Sequence, residues 1–203
     1  MENQVRIVTI GVYGFDEESF FSALTDSGVD TFCDIRRHRG LRGSAYAFAN
    51  SRRLQDRLAA LGIRYVHIKE LAPSQALREV QKKDDKRHGI GKRGRTVLGP
   101  AFIQAYHSEC LQSFTATKFR DAVGQDAHVV GLFCVEREPE ACHRSLVAER
   151  LADELGIEPE HIKPLRYSSQ IERGRCSSWL ERRWAATRAA LGGLPKKACR
   201  CGC

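Results

Sequence analysis

The most reactive side chains of this sequence lie in one short stretch, FCVEREPEACHRSLVAERL. Cys134 and Glu136 end an apolar run, and Cys142, His143 and Arg144 follow where a helical pattern begins. Free N–H groups and the helix dipole stabilise a thiolate at a helix N-terminus, and a thiolate is a nucleophile. Histidine and glutamate can move protons, and arginine can hold a phosphate. We therefore predict a catalytic site formed by Cys142, His143, Cys134 and Glu136, with Arg144 as a phosphate-binding residue.

The two cysteines of this stretch allow several interpretations. Cys134 and Cys142 could be a nucleophile and its resolving partner, a sulfur-transfer pair, or two ligands of a metal ion. Their spacing, Cys-x7-Cys-His, differs from the standard patterns of structural zinc sites. The alternative is that both cysteines are simply small buried side chains with no functional role.

A second group of cysteines lies near the C-terminus. Four of the eight cysteines fall within residues 176–203, a clustering that core packing does not produce. Four thiolates could bind zinc, and a flexible thiol-rich tail is the alternative. These predicted metal ligands are Cys176, Cys199, Cys201 and Cys203.

Alternating strand and helix patterns must position the reactive residues. The predicted strands are VRIVTI (5–10), TFCDIR (31–36), RYVHIKEL (64–71), HVVGLFCVE (128–136) and HIKPL (161–165). Helical patterns follow Asp16 and Asn50 or Ser51, span 99–114 and 117–123, and end at Leu155. This order predicts an α/β fold with three layers: a mostly parallel, Rossmann-like sheet with helices on both faces.

Sheets of this kind bind ligands at the carboxyl ends of their strands. This rule adds five residues to the predicted substrate- or phosphate-binding site: Gly11, Asp34, Arg36, His67 and Glu70. His67 and Glu70 alternate in direction along a strand, so that only one of them needs to face the edge. Asp34 and Arg36 share a face and are also explained as a simple ion pair.

Two segments interrupt or follow the α/β pattern, and both are strongly basic. The first, at about 74–98, contains REVQKKDDKRHGIGKRGR and predicts a short helix followed by a mobile loop. The second contains SSWLERRWAATRAALGG and predicts a basic amphipathic helix. We therefore divide the chain into an α/β domain (1–167), which carries the basic insertion, and a basic, cysteine-containing extension (168–203).

Composition narrows the class of protein. The net charge of +8 and a pI of about 9.2 favour a polyanionic partner, with a generally basic surface as the alternative. No stretch approaches about 18 consecutive apolar residues, so we expect no membrane span. The N-terminal residues lack the pattern of a signal peptide, so we expect a cytoplasmic protein.

Several motifs together resemble the domain-of-unknown-function 488 family. They are TIG (9–11), DIR (34–36), YVHIKEL (65–71) and the pair within CVEREPEACHR (134–144), which is the most specific. The resemblance covers about residues 5–165 without the basic insertion, and it implies the α/β sheet described above. Val12 and Tyr13 stand where the family usually has His and Ser.

We therefore expect an enzyme that acts on a phosphate-bearing substrate, a nucleotide or nucleic acid, through a Cys/His/Arg site at the sheet edge. The basic segments would hold the polyanion. One alternative is a non-catalytic module that binds nucleic acid or a protein partner. A further alternative is thiol redox or sulfur transfer through Cys134 and Cys142.

Overall fold

A computed structural model of the chain describes residues 5–91 and 94–164. In these two ranges, five parallel strands form one sheet in the order β3-β2-β4-β1-β5. The strands are β1 (Arg6–Gly11), β2 (Thr31–Asp34), β3 (Arg64–His67), β4 (Val129–Cys134) and β5 (Glu160–Ile162). The α/β fold and all five strands predicted from the sequence are confirmed.

Within the described residues, six α-helices connect the strands. They are α1 (Glu17–Asp26), α2 (Ser51–Ala60), α3 (Gln75–Arg87), α4 (Pro100–Tyr106), α5 (Ala116–Val123) and α6 (His143–Leu155). Asp16, Ser74 and Thr115 accept hydrogen bonds from the first turns of α1, α3 and α5, so these helices begin at side-chain caps. The basic segment forms a helix of 13 residues, longer than the short helix that its sequence predicts.

Two apolar layers cover the sheet, one on each face. Residues of α1 and α2, such as Phe20 and Leu54, pack with Val8 of β1 on one face. Residues of α4 to α6, such as Tyr106, pack with Ile7 of β1 on the other. Because neighbouring residues of a strand point to opposite faces, β1 contributes to both layers, and the molecule has the three predicted layers.

None of the helices in the described part of the chain combines the length and apolar character that a membrane span requires. The predicted extension lies outside the described residues. So do its four candidate zinc ligands, Cys176, Cys199, Cys201 and Cys203.

Candidate functional site

The reactive stretch connects the end of β4 to the start of α6. β4 ends at Cys134, a 3-10 turn follows at Pro139–Ala141, and α6 begins at His143. Cys142 is the residue immediately before the helix, in an extended conformation with φ −138° and ψ 140°. Cys142 therefore occupies the N-cap position of α6, where the helix dipole stabilises negative charge, although its side chain makes no capping hydrogen bond.

Cys134, Cys142 and His143 come together in a group that we call the thiol cluster. His143 Nδ1 lies 3.8 Å from Cys134 Sγ and 4.0 Å from Cys142 Sγ, and the three atoms all lie within 4.8 Å of one another. All three residues are buried, with exposed fractions of 5%, 2% and 8%. The structure thus brings together three of the four predicted catalytic residues.

The backbone just after β2 fixes the orientation of the His143 ring. Its Nε2 lies 3.2 Å from the carbonyl oxygen of Ile35, and a carbonyl oxygen can only accept a hydrogen bond. We therefore assign the ring proton to Nε2. In the neutral ring, Nδ1 then directs its lone pair at the two sulfur atoms.

The two thiols of the cluster differ in acidity. The hydrogen bond to Cys142, together with burial, raises the pKa of the Cys134 thiol well above its usual value. Burial alone would raise the pKa of Cys142, but the hydrogen bond from Cys134 and the charge of Arg144 hold that pKa well below its usual value. Since Cys142 lies at the helix N-terminus, the negative charge of the cluster belongs on its sulfur.

A cavity of about 530 Å³ opens onto the thiol cluster. Cys134, Cys142 and His143 form its buried inner wall. The more exposed lining residues include Arg37, Arg78 and Lys82, together with Glu79, which pairs with Lys82 at 3.5 Å. The cavity is within the usual size range for small ligands, roughly 300–1,000 Å³.

Arg95 links the basic segment to the wall of this cavity. Its guanidinium forms ion pairs with Asp85 of α3 at 2.9 Å and with Glu136 at 3.3 Å, and it donates to the carbonyl of Ala141. Asp85 also accepts from Gln81 at 2.8 Å. Glu136, a predicted catalytic residue, therefore lines the cavity with its carboxylate already paired to Arg95.

Sequence reasoning missed the part that Gln81, Asp85 and Arg95 play. A signal was present, because Leu77, Gln81 and Asp85 recur every four residues and so share one helix face. Polar residues on the apolar face of a helix indicate buried partners.

Arg144 is fully buried and binds the protein's own backbone. It donates to the carbonyl oxygens of Glu136 at 2.6 Å and Arg137 at 2.9 Å, and to the hydroxyl of Thr9. A Cβ atom on Gly11 would overlap the same Glu136 oxygen, so glycine is needed where this loop crosses the end of β1. Phosphate binding by Arg144 and Gly11 stays a prediction that these contacts do not favour.

Asp34 and Arg36 form a buried ion pair. We call these two residues, together with Tyr65, the Asp34 network. Arg36 donates to both carboxylate oxygens, at 2.9 and 2.8 Å, and Tyr65 donates to the second at 2.8 Å. Arg36 also donates to the carbonyl of Ala49 and lies over the ring of Phe133. These contacts agree with the simple ion pair that the sequence allowed.

The last two predicted residues lie away from the thiol cluster. β3 ends at His67, whose Nε2 is 3.0 Å from the carbonyl oxygen of Arg36. Glu70 is exposed in the 3-10 turn Lys69–Leu71, where the predicted strand has already ended. Neither side chain is among the described residues that line the cavity.

Comparison with known proteins gives a family but no activity. No curated protein and no solved structure gave a significant match to this sequence. The family model of the domain of unknown function DUF488 matches residues 16–151, which is more than half of the chain and includes the whole thiol cluster. The chain therefore belongs to the DUF488 family.

Proposed function

We propose that this protein is an enzyme that binds a phosphate-bearing substrate in the cavity and acts on it through the thiol cluster. The observation that carries this proposal is the placement of Cys134, Cys142 and His143 on the inner wall of a cavity whose outer part is basic. Reactive groups, a space for a ligand and charges that would attract it occur together there.

The charges along the cavity support an anionic substrate. Arg95 is neutralised by its two carboxylate partners, and Lys82 pairs with Glu79 at 3.5 Å. Arg37 and Arg78 also line the cavity, so its more exposed wall carries three cationic side chains and one carboxylate.

The size of the cavity narrows the substrate further. A volume of about 530 Å³ admits a molecule of nucleotide or sugar-phosphate size. A nucleic acid polymer would contact only the outer surface of the protein, unless one of its nucleotides entered the cavity. We therefore propose a nucleotide or a similar small phosphate compound as the substrate.

The roles within the cluster follow from the geometry. In the metal-free protein, Cys142 Sγ is the nucleophile, because it lies at the N-terminus of α6 and lines the cavity. His143 Nδ1 is the proton acceptor beside it, and the Cys134 thiol lies within 4.8 Å of the Cys142 sulfur. Arg37, Arg78 and Lys82 hold the phosphate.

A substrate panel tests this proposal. The full chain would be incubated with nucleoside phosphates and sugar phosphates, and products identified by liquid chromatography and mass spectrometry. We expect turnover of at least one compound by wild type and by Cys110→Ser, a buried cysteine outside the cluster, and loss of turnover in Cys142→Ser. Wild-type turnover in Cys142→Ser, with the fold intact by circular dichroism, would contradict the proposal.

Thiol redox or sulfur transfer is a second candidate, favoured by the separation of Cys134 Sγ and Cys142 Sγ, which is at most 4.8 Å. Glutathione disulfide would oxidise the two thiols to one disulfide and leave as two glutathione molecules. Because Arg137 lies between the cysteines, trypsin places them in separate peptides, and a linked pair reports the bond. If no linked pair forms, this candidate is rejected.

A further inference from the structure

The spacing of the thiol cluster is close to that of a metal site. In a tetrahedral zinc site, Zn–S and Zn–N bonds of about 2.3 and 2.0 Å place sulfur and nitrogen ligands roughly 3.5 Å apart. His143 Nδ1 lies 3.8 and 4.0 Å from the two sulfur atoms. The two N–S distances would need to shorten by only a few tenths of an ångström. The two sulfur atoms, which lie within 4.8 Å of each other, would need to come to about 3.8 Å.

The donor atoms are those that soft divalent cations prefer. Two cysteine sulfurs and one imidazole nitrogen form a Cys2His set, which binds zinc in preference to magnesium or calcium. Carboxylates, which suit the harder ions, are not part of the cluster among the described residues. Glu136, a carboxylate on the cavity wall, is paired with Arg95.

The groups around the cluster hold the ligands in the required orientation. A metal-binding histidine usually donates its other N–H to a carboxylate or backbone carbonyl. His143 Nε2 does this with Ile35 at 3.2 Å, which leaves Nδ1 for the ion. Cys142 is fixed on its other side, since its carbonyl accepts from both the hydroxyl (3.0 Å) and the amide (3.2 Å) of Ser145.

We infer that Cys134, Cys142 and His143 bind one zinc ion, with the fourth coordination position open to the cavity. Three protein ligands and an open position are the pattern of catalytic rather than structural zinc sites. A phosphate oxygen or a water molecule entering the cavity would fill that position. The inference rests on the proposed function only for the substrate, and in the metal-bound protein Cys142 is a ligand instead of a free nucleophile.

The test must exclude zinc binding by the four cysteines near the C-terminus. We would use the full chain with Cys176, Cys199, Cys201 and Cys203 changed to Ser, stripped of metal by a chelator. Zinc titration followed by native mass spectrometry should give one tightly bound ion per chain. Cobalt(II) should give a thiolate-to-metal charge-transfer band and the visible bands of a tetrahedral site.

Variants of the ligands give the matched comparison. Cys134→Ser, Cys142→Ser and His143→Gln in this background should each lose the cobalt charge-transfer intensity or weaken zinc binding by at least tenfold. Cys110→Ser should keep both. Circular dichroism would show that each variant is folded.

Two results would overturn the inference: no stoichiometric zinc in the tail-substituted chain, or a cobalt spectrum that survives Cys134→Ser and Cys142→Ser. Both are measured without substrate, so they do not depend on turnover. Conversely, absence of turnover in the substrate panel rejects the proposed function and leaves a measured metal site standing.

Discussion

Two groups of ionisable side chains lie at the carboxyl edge of the sheet, and they are built in opposite ways. In the Asp34 network, both carboxylate oxygens accept hydrogen bonds from Arg36 or Tyr65 at 2.8–2.9 Å. In the thiol cluster, the contacts between His143 and the sulfurs are 3.8 and 4.0 Å long. Arg36 and the thiol cluster both line the cavity, so the two groups differ in how fully their polar atoms are hydrogen-bonded. One group is saturated by its neighbours, and the other has capacity for a ligand.

This difference shows how buried polar residues with a structural role can be distinguished from those with a functional role. A buried ion pair whose hydrogen bonds are all made contributes to the structure, and losing one partner leaves the other uncompensated. A buried cluster with loose internal contacts contributes little to stability. Beside a cavity, such a cluster is a candidate for binding a ligand or reacting with it.

The largest expected effect is on the Asp34 network. Asp34→Ala leaves the Arg36 guanidinium buried without its partner, and we expect a loss of about 3–5 kcal/mol in the free energy of unfolding. Urea denaturation measures this loss. The control is Glu17→Ala, which removes an exposed pair with Arg53 and should cost less than about 1 kcal/mol. Equal effects of both substitutions would show that the network is not a structural element.

The loop that carries the cluster depends on Gly11. Gly11→Ala would force a methyl group against the Glu136 carbonyl that Arg144 binds, and we expect a loss of about 1–3 kcal/mol. Gly40→Ala is the matched control, because a Cβ there meets nothing within 4 Å. Thermal or urea unfolding compares the two. A neutral Gly11→Ala would mean that the loop does not cross β1 as described.

The thiol cluster should respond in function and not in stability. Cys142→Ser changes a residue with loose contacts, so we expect the free energy of unfolding to change by less than about 1 kcal/mol. Zinc binding and turnover should both be lost. Urea denaturation of the metal-free protein, run beside Asp34→Ala, measures the contrast. A loss as large as that of Asp34→Ala would assign the cluster to structure.

The smallest expected effect is the dependence of folding stability on pH that His161 causes. Burial and the charge of Arg144 lower the pKa of His161 below 6.5, and its Nδ1 lies 2.8 Å from the Thr9 hydroxyl that Arg144 also contacts. The folded protein therefore binds this proton less well than the unfolded chain. Stability should fall as pH drops through about 6.5 and level off below the folded pKa.

His161→Gln should reduce this dependence, since glutamine does not titrate. Urea denaturation of wild type and variant at neutral and mildly acidic pH gives the difference. An unchanged slope in the variant would show that His161 does not contribute.

The sequence predicted the fold and the centre of the candidate site for local reasons. Apolar runs define the strands, and the helix start at Cys142 places it beside Cys134 across one loop. Arg95 was missed because its hydrogen-bond partners lie 10, 41 and 46 positions away in the sequence. Periodicity in the sequence reports only local structure and gives no signal for such contacts. Glu70 was placed at the sheet edge because RYVHIKEL looks like one strand, whereas β3 ends at His67.

Selective alkylation tests the central claim most directly. The claim is that Cys142 is a reactive thiol on the wall of an anion-binding cavity. The metal-free chain with its four tail cysteines changed to Ser would be treated with limiting iodoacetate or iodoacetamide, and the labelled tryptic peptides quantified. Cys142 falls alone in the peptide EPEACHR, separate from Cys33, Cys110 and Cys134.

We predict that the label concentrates on EPEACHR and that negatively charged iodoacetate is favoured over neutral iodoacetamide, relative to a small thiol in solution. Arg78→Glu should remove that preference, because Arg78 lines the cavity. Label spread evenly over the four cysteines, or a preference for the neutral reagent, would contradict the account.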